Sequence, residues 1–374
     1  MSTEPIRVLY DEQIFSLQEY GGISRYFTEL IKHFEANPEL GVRPLLASSR
    51  VINKYLQNET KYLGVKGVQS KLFSVFSLFL GMALKRKTRN KVDIVHHTFY
   101  LPGFFGRFSG ALKAVTLFDM IPENTDSSGR FWNPHFAKKE NLAKADLVFS
   151  ISESSTQDMR KEYGFDRRVV TTYLGVGSEY TPDLGRLDWQ PKDYFLFVGN
   201  RGGYKDFDLA IRAFARIAKN NTGICLQLVG GGKLTGPEKK LISQLGVTRA
   251  ISHKSVNPEQ LPNVFANAIA LLYPTRYEGF GLPLLEAMAS GVTIFASDTP
   301  INNEIASSAA SYFPVGSESA LANLMSQVIV NPEPFRDKIE EGKKRALTFT
   351  WHRCAEQTAA EYRKLVNERK ERAR

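Results

Sequence analysis

Apolar positions along the chain fall into two alternating patterns. Short apolar runs bounded by turn residues read as buried strands. After each comes a stretch with apolar residues three and four apart, the spacing of one helix face. The first run is Ile6 to Tyr10. After a polar, aromatic loop, Tyr20-Gly21-Gly22 opens a helix that runs to about Glu35, with Ile23, Tyr26, Phe27, Leu30, Ile31 and Phe34 on its apolar face. Further strands are expected at Val42 to Ala47, Val92 to His97, Ala114 to Phe118, Asp146 to Ser152 and Val169 to Tyr173. Helices are expected over Asn133 to Lys144 and after Ser154-Ser155-Thr156, whose hydroxyls suit a helix cap. The segment LGVGSEYTPD from Leu174 is polar and turn-rich, and it reads as a linker.

The alternation then resumes. Strand patterns lie at Tyr194 to Val198, Ile224 to Val229, Ala250 to His253, the run ending at Tyr273, and Val292 to Ala296, with a helix over Pro258 to Ala268. A last helix starts at Thr350-Trp351, with Ala355, Ala359, Tyr362 and Leu365 as its packing face. Strands alternating with helices imply an α/β fold in which helices cover both faces of a parallel sheet. The 374 residues suffice for two such cores, divided here as 1–185 and 186–350.

The densest stretch runs from Leu271 to Glu304. Pro274 and Thr275 end a strand, Gly279 and Gly281 bracket Phe280, and Pro283 suits the first turn of a helix that Gly291 stops. Backbone N–H groups from Gly279, Phe280, Gly281 and Leu282 at a helix start form an anion site. Two carboxylates flank it, Glu278 and Glu286. They make sense for a ligand that also carries hydroxyls, such as a sugar joined to a phosphate, because a carboxylate accepts several O–H donors. They are equally compatible with stabilising the helix start.

Similar loops occur elsewhere. Gly21-Gly22 follows a strand and opens a helix, which suits a tight turn or close approach to a diphosphate. Gly199-Asn-Arg201-Gly-Gly-Tyr-Lys205 follows another strand and supplies two cations, a planar fork and a point charge. Asp206-Phe207-Asp208 is a D-x-D triplet, read here as acids in the first turn of a helix rather than as metal ligands. His96 and His97 are adjacent on a strand and point to opposite sides, so they are no metal pair.

Composition narrows the picture. Hydrophobic residues make up 43% of the chain, which indicates a globular protein. Cys225 and Cys354 lie far apart and suggest a reducing compartment. No leader pattern opens the sequence and no window reaches the length of a membrane span. The net charge of +10 favours polyanionic partners. No nucleic-acid-binding motif is present. Part of the charge is concentrated between Glu59 and Asp93, where Lys61, Lys66, Lys71, Lys85, Arg86, Lys87, Arg89 and Lys91 surround LFSVFSLFLGMAL without an acid. Such a segment could lie on an anionic membrane, or its apolar face could be core.

The run Glu278-Gly-Phe-Gly-Leu-Pro-Leu-Leu-Glu286 resembles the E-x7-E signature of glycosyltransferase family 4, retaining enzymes with the GT-B fold. The resemblance extends over nearly the whole chain. It is strongest to the mannosyltransferase-like branch that builds bacterial surface polysaccharides, O-antigen and capsule. It implies two doubly wound, Rossmann-like domains facing across a cleft, with the helix from 351 packing back on the first. It implies a nucleotide-diphosphate sugar as co-substrate, with no cofactor and no metal required. Guanine is the favoured base. Glu278, Arg201 and Lys205 become catalytic candidates. Glu286 would take the ribose, and Gly21, Gly22 and the 279–282 loop the diphosphate and sugar. The base would be read near Lys254, Ser255 and Val256. The acceptor implied is a glycan or lipid-linked glycan, at the cytoplasmic face of the membrane.

The chain departs from the family at one position. Relatives carry His-Asp where this chain has Phe118-Asp119. With Phe118 beside the donor, a 6-deoxy sugar would fit; otherwise Phe118 is core. Two other classes remain open, a nucleotide-sugar epimerase of the same architecture and a non-catalytic scaffold subunit. A nicotinamide-dependent oxidoreductase is disfavoured, since no G-x-G-x-x-G follows a strand.

Overall fold

A computed structural model describes residues 4–46, 52–57, 92–101, 110–124, 137–180 and 193–372. The charged segment between Glu59 and Asp93 therefore lies almost wholly outside the described residues, as does the start of the helix expected at Asn133. The chain forms two compact units. One holds the described residues up to Gly175 together with those from Trp351, and the other is Val176–Thr350. The division falls at Val176 because its N–H bonds the carbonyl of Phe349 at 3.1 Å, and Tyr180 stacks edge-on against Phe265.

The first unit is a six-stranded parallel sheet of β1 (Ile6–Tyr10), β2 (Val42–Leu46), β3 (Ile94–His97), β4 (Leu112–Leu117), β5 (Leu147–Ser150) and β6 (Val169–Thr171), in the order β2-β1-β3-β4-β5-β6. Its helices include α1 (Gly22–Ala36), α2 (Lys138–Lys144) and α3 (Glu153–Tyr163). The cap of α3 is Ser152, whose side chain accepts from the Ser155 N–H at 3.1 Å, rather than the Ser154 to Thr156 run. An extended Ser152 has the backbone geometry a cap needs, while residues after it are already helical.

The second unit is also a six-stranded parallel sheet. Its strands are β7 (Tyr194–Val198), β8 (Cys225–Val229), β9 (Ile251–Lys254), β10 (Ala270–Tyr273), β11 (Thr293–Ser297) and β12 (Ser311–Phe313), in the order β12-β11-β10-β7-β8-β9. The helices that matter below are α4 (Phe207–Ala218), α5 (Gly236–Gln244), α6 (Leu282–Ala289) and α7 (Pro300–Ala306). Phe195, Phe197, Leu226, Leu228, Leu272 and Phe295 pack with Phe207, Ile211 and Phe214 of α4 into one buried cluster. Consecutive apolar residues serve both faces of such a strand, which is why the strand runs do not alternate.

The last helix, α8 (Trp351–Arg372), packs on α1 of the first unit. Tyr362 anchors it. Its hydroxyl lies 2.5 Å from His96 Nδ1 and 3.2 Å from the Tyr10 hydroxyl, while His96 Nε2 lies 2.8 Å from Thr116 Oγ1. Burial, aided by neighbouring His97, pushes the His96 pKa down to about 3. His96 is thus a neutral core residue. His97 turns to the other face of the sheet, as strand geometry requires.

Candidate functional site

In an open parallel sheet, ligands gather at the carboxyl ends of the strands where the winding direction reverses. In the second unit that point lies between β7 and β10. The loops leaving these two strands are the two that carry the sequence candidates.

The loop after β7 begins at Gly199, whose φ of 115° excludes an ordinary side chain. It runs through a single turn, Gly203–Lys205, and ends at Asp206, a non-glycine residue at φ 49°. The loop after β10 is clasped to it. The Arg276 N–H donates to the Tyr204 carbonyl at 2.8 Å, and Arg276 Nε donates to Asp206 Oδ2 at 2.7 Å. Lys205 closes the clasp by donating to Glu278. Both side chains are largely buried, at 12% and 9% exposure. The D-x-D triplet is accordingly at a helix start, with Asp206 spoken for by Arg276.

Gly281 then turns the chain into α6 at φ 102°. A Cβ there would lie 3.2 Å from Leu284 and 3.3 Å from the Tyr273 hydroxyl. No side chain caps this helix start. Its first N–H groups follow directly on Glu278, and Glu286 is buried one turn into the helix. The Phe280 ring is buried, with its centroid 6.1 Å from that of Phe349. What Gly279, Phe280, Gly281 and Leu282 offer is backbone.

Arg201 has a different setting from the one expected. Its side chain is 3% exposed and pairs with Glu238 at 2.9 Å. Its terminal nitrogens donate to the carbonyls of Gly230 at 2.7 Å, Gly231 at 3.1 Å, Gly232 at 2.9 Å and Lys233 at 3.1 Å. The planar fork is thereby occupied in holding the loop after β8. All three glycines have positive φ, and a Cβ on Gly231 would fall 2.5 Å from Arg201. Burial acts to raise the Glu238 pKa, but the Thr235 N–H and Arg201 outweigh it and hold the carboxyl low. Lys254 ends β9 and Ser255 and Val256 follow it, beside this loop, where His253 Nε2 lies 3.3 Å from the Gly230 carbonyl.

The remaining candidates belong to the first unit. Gly21 precedes α1, with Gln18 so close that a Cβ would overlap its amide; Gln18 Oε1 accepts from the Ser24 N–H at 3.3 Å. Phe118 is buried, edge-on to Tyr26 at 5.4 Å and Phe27 at 5.8 Å. Asp119 accepts from the Ile121 N–H at 3.0 Å, and its carbonyl receives Lys138 at 2.9 Å. Lys138 is a fully buried lysine, also paired with Glu123 at 2.9 Å, and sequence reading gave no sign of it. Nor did it reveal the network at the ends of β1 and β3. There Asp11 bonds His97 Nδ1 at 2.7 Å, the Thr98 hydroxyl at 2.7 Å and Gln13 at 2.7 Å. Burial acts to raise the Asp11 pKa, but His97 and these hydrogen bonds outweigh it. The only sequence signal was that Asp11 and His97 both stand at strand ends.

The fold is GT-B. The likeness to solved structures shows that fold. Sucrose-phosphate synthase from Thermosynechococcus elongatus superposes with a TM-score of 0.75 at 17% identity, covering 97% of this chain and all of that one. HepE from Anabaena, solved with UDP and glucose, gives 0.75 at 15% identity, over 95% and 98% of the two chains. In sequence, the family model "Glycosyltransferase Family 4" matches residues 20–180 and "Glycosyl transferases group 1" matches 186–345. This chain belongs to the family 4 glycosyltransferases. It is 25% identical to O-antigen chain mannosyltransferase B of Escherichia coli over 92% of its length and 96% of that protein's. It is 33% identical to the MMP alpha-(1->4)-mannosyltransferase of Mycolicibacterium hassiacum, over 59% of this chain and 54% of that one. Among the described residues, no helix is long and apolar enough to cross a membrane.

Proposed function

We propose that this glycosyltransferase moves a hexose, with mannose favoured, from a nucleotide-diphosphate donor to a glycan or lipid-linked glycan acceptor of a bacterial surface polysaccharide, with retention of anomeric configuration. The observation that carries this reading is the Lys205–Glu278 pair at the reversal point of the second sheet, beside the uncapped start of α6. A cation, backbone donors and a carboxylate converge there, which suits a ligand that is anionic at one end and hydroxylated at the other.

In this reading Lys205 and the N–H groups from Gly279 to Leu282 meet the diphosphate, where charge builds as the glycosidic bond breaks. No metal is assigned a part in this. Glu278 takes hydroxyls of the transferred sugar, Glu286 those of the ribose, and the Lys254–Val256 loop lies by the base. Arg201 acts indirectly, by shaping the Gly230–Gly232 loop. The ring packing of Phe118 on Tyr26 and Phe27 favours a core role over contact with a 6-deoxy donor. The relatives named as mannosyltransferases support mannose as the sugar, and GDP is the carrier we favour for it, while HepE was solved with UDP. We place the enzyme at the cytoplasmic face of the membrane, where lipid-linked acceptors are elongated. The intact pair and the mannosyltransferase relatives weigh against an epimerase or a scaffold subunit.

The test is turnover of GDP-mannose and UDP-glucose with a membrane fraction as acceptor source, followed by analysis of the anomeric linkage. An α-linked product from an α-linked donor supports the reading. Release of an epimerised donor without any acceptor would replace it with the epimerase.

A further inference from the structure

Beneath the Lys205–Glu278 pair lies a residue that none of the roles above uses. Tyr273 ends β10 and is 2% exposed. Its hydroxyl is buried and forms no hydrogen bond. It points up under the glycine loop, since a Cβ on Gly281 would sit 3.3 Å from it. The Lys205 ammonium lies 5.5 Å above the Tyr273 ring, within cation–π range. After burial itself, the strongest influence on the phenol is the Glu278 carboxylate, by its charge and as an acceptor close by but short of a formed hydrogen bond, with Tyr204 and Glu286 adding to it; all raise its pKa well above the ordinary value. The phenol therefore stays protonated and is a hydrogen-bond donor only waiting for an acceptor. A buried hydroxyl with no partner is costly, so its persistence at a site calls for an explanation.

The surroundings supply one. Glu278 is engaged by Lys205. An anionic ligand that draws the ammonium away leaves Glu278 as a nearly buried carboxylate without its cation, which is strongly unfavourable. Tyr273 is the uncommitted donor beside it.

We propose that Tyr273 is a positioning residue: its hydroxyl takes over Glu278 when a bound diphosphate draws Lys205 off, and so keeps the carboxylate oriented toward the sugar. Lys205 exchanges one anion for another, and Glu278 exchanges an ammonium for a phenol. No covalent bond changes. The ring remains beneath Lys205 throughout and limits how far the ammonium can travel. This inference rests on the donor site proposed above.

The experiment measures affinity for GDP-mannose and for UDP-glucose, by calorimetry, in the wild type, Tyr273→Phe, Glu278→Ala and the double variant. Melting temperature without ligand is recorded for each. Removing the hydroxyl leaves the unliganded protein as stable as before or slightly more so, because an unpartnered polar group is lost. It weakens the bound donor about tenfold, the worth of one hydrogen bond to a charged group. In the Glu278→Ala background the same substitution changes affinity less than twofold, because there is no carboxylate to hold. Equal weakening in both backgrounds, or no weakening in either, overturns the inference while leaving the donor site intact. A lowered melting point without ligand, with no loss of affinity, assigns Tyr273 to the core alone. If neither nucleotide sugar binds the wild type, the donor site itself is wrong and this inference falls with it.

Discussion

Lys205 and Glu278 stand 73 positions apart and leave different strands, yet their side chains close on each other in a largely buried ion pair. Each is brought there by its own glycine turn, at Gly199 before Lys205 and Gly281 after Glu278. An enclosed pair of this kind is weak support for stability, because desolvation offsets much of the attraction. Its position at the strand ends is better explained by a ligand that competes for both partners.

Breaking the pair is therefore expected to damage transfer more than folding. Lys205→Ala and Glu278→Ala each lose activity by about a hundredfold or more, the usual worth of a group that meets developing charge. Both variants keep a cooperative melt. Near-normal transfer by both would remove these residues from the site.

Arg201 is expected to behave as a structural residue. Its fork meets Glu238 and four successive carbonyls, a pattern a point charge cannot reproduce. Arg201→Lys should destabilise the second unit by about 2 kcal/mol, from lost charge-assisted bonds to the Gly230–Lys233 carbonyls and to Glu238. Donor affinity should fall with it, and high ligand concentration should restore the rate. A variant of native stability with an unrestored rate would instead place the guanidinium on the reacting diphosphate.

The buried His96 gives a pH dependence with a definite sign. Unfolded, its imidazole takes a proton below its ordinary value of 6.5; folded, it does not do so until about 3. Between these values unfolding takes up a proton, so stability falls as pH falls. The slope is up to about 1.4 kcal/mol for each pH unit. Melting curves from pH 7 to pH 5 should show this loss, and His96→Gln should flatten it. Parallel slopes for the two proteins would mean that His96 is protonated in the fold.

Phe118 separates two roles that the sequence left open. If it is core, as its contacts with Tyr26 and Phe27 indicate, Phe118→Ala costs about 3 to 5 kcal/mol. Phe118→Leu should then fold well and leave the preference between mannose and 6-deoxy donors unchanged. A changed preference in the Leu variant, with stability held, would return the ring to the donor site.

Much of this molecule is legible before any coordinates. Every strand but β12 can be read, because buried parallel strands leave uninterrupted apolar runs and glycine turns mark several of their carboxyl ends; the edge strand β12 is only three residues long and leaves no such run. Tyr362 and Ala359 already stand out as the packing face of the last helix, and both are buried. What escapes is pairing across long separations. Nothing local to Arg201 says that the carbonyls of Gly230 to Lys233 will claim it. Nothing local to Tyr362 says that its hydroxyl will meet His96, 266 positions away. The cap of α3 at Ser152 was missed for a related reason, since four candidate hydroxyls lie within the five residues from Ser152 to Thr156 and only backbone geometry selects among them. Lys138 looks like any surface lysine in a basic helix, and its burial follows from Asp119 and Glu123.

The most direct measurement is thermal stability with GDP, UDP, dTDP and ADP, each with Mg²⁺ and with a chelator, for the wild type and Lys205→Ala. A ligand that binds only the folded protein raises the melting temperature by mass action, by an amount that grows with its concentration over Kd. We expect a clear rise with GDP, the same with or without Mg²⁺, and most of it lost in Lys205→Ala. No rise with any nucleotide, or a rise that Lys205→Ala leaves untouched, would contradict a donor site built on the Lys205–Glu278 pair.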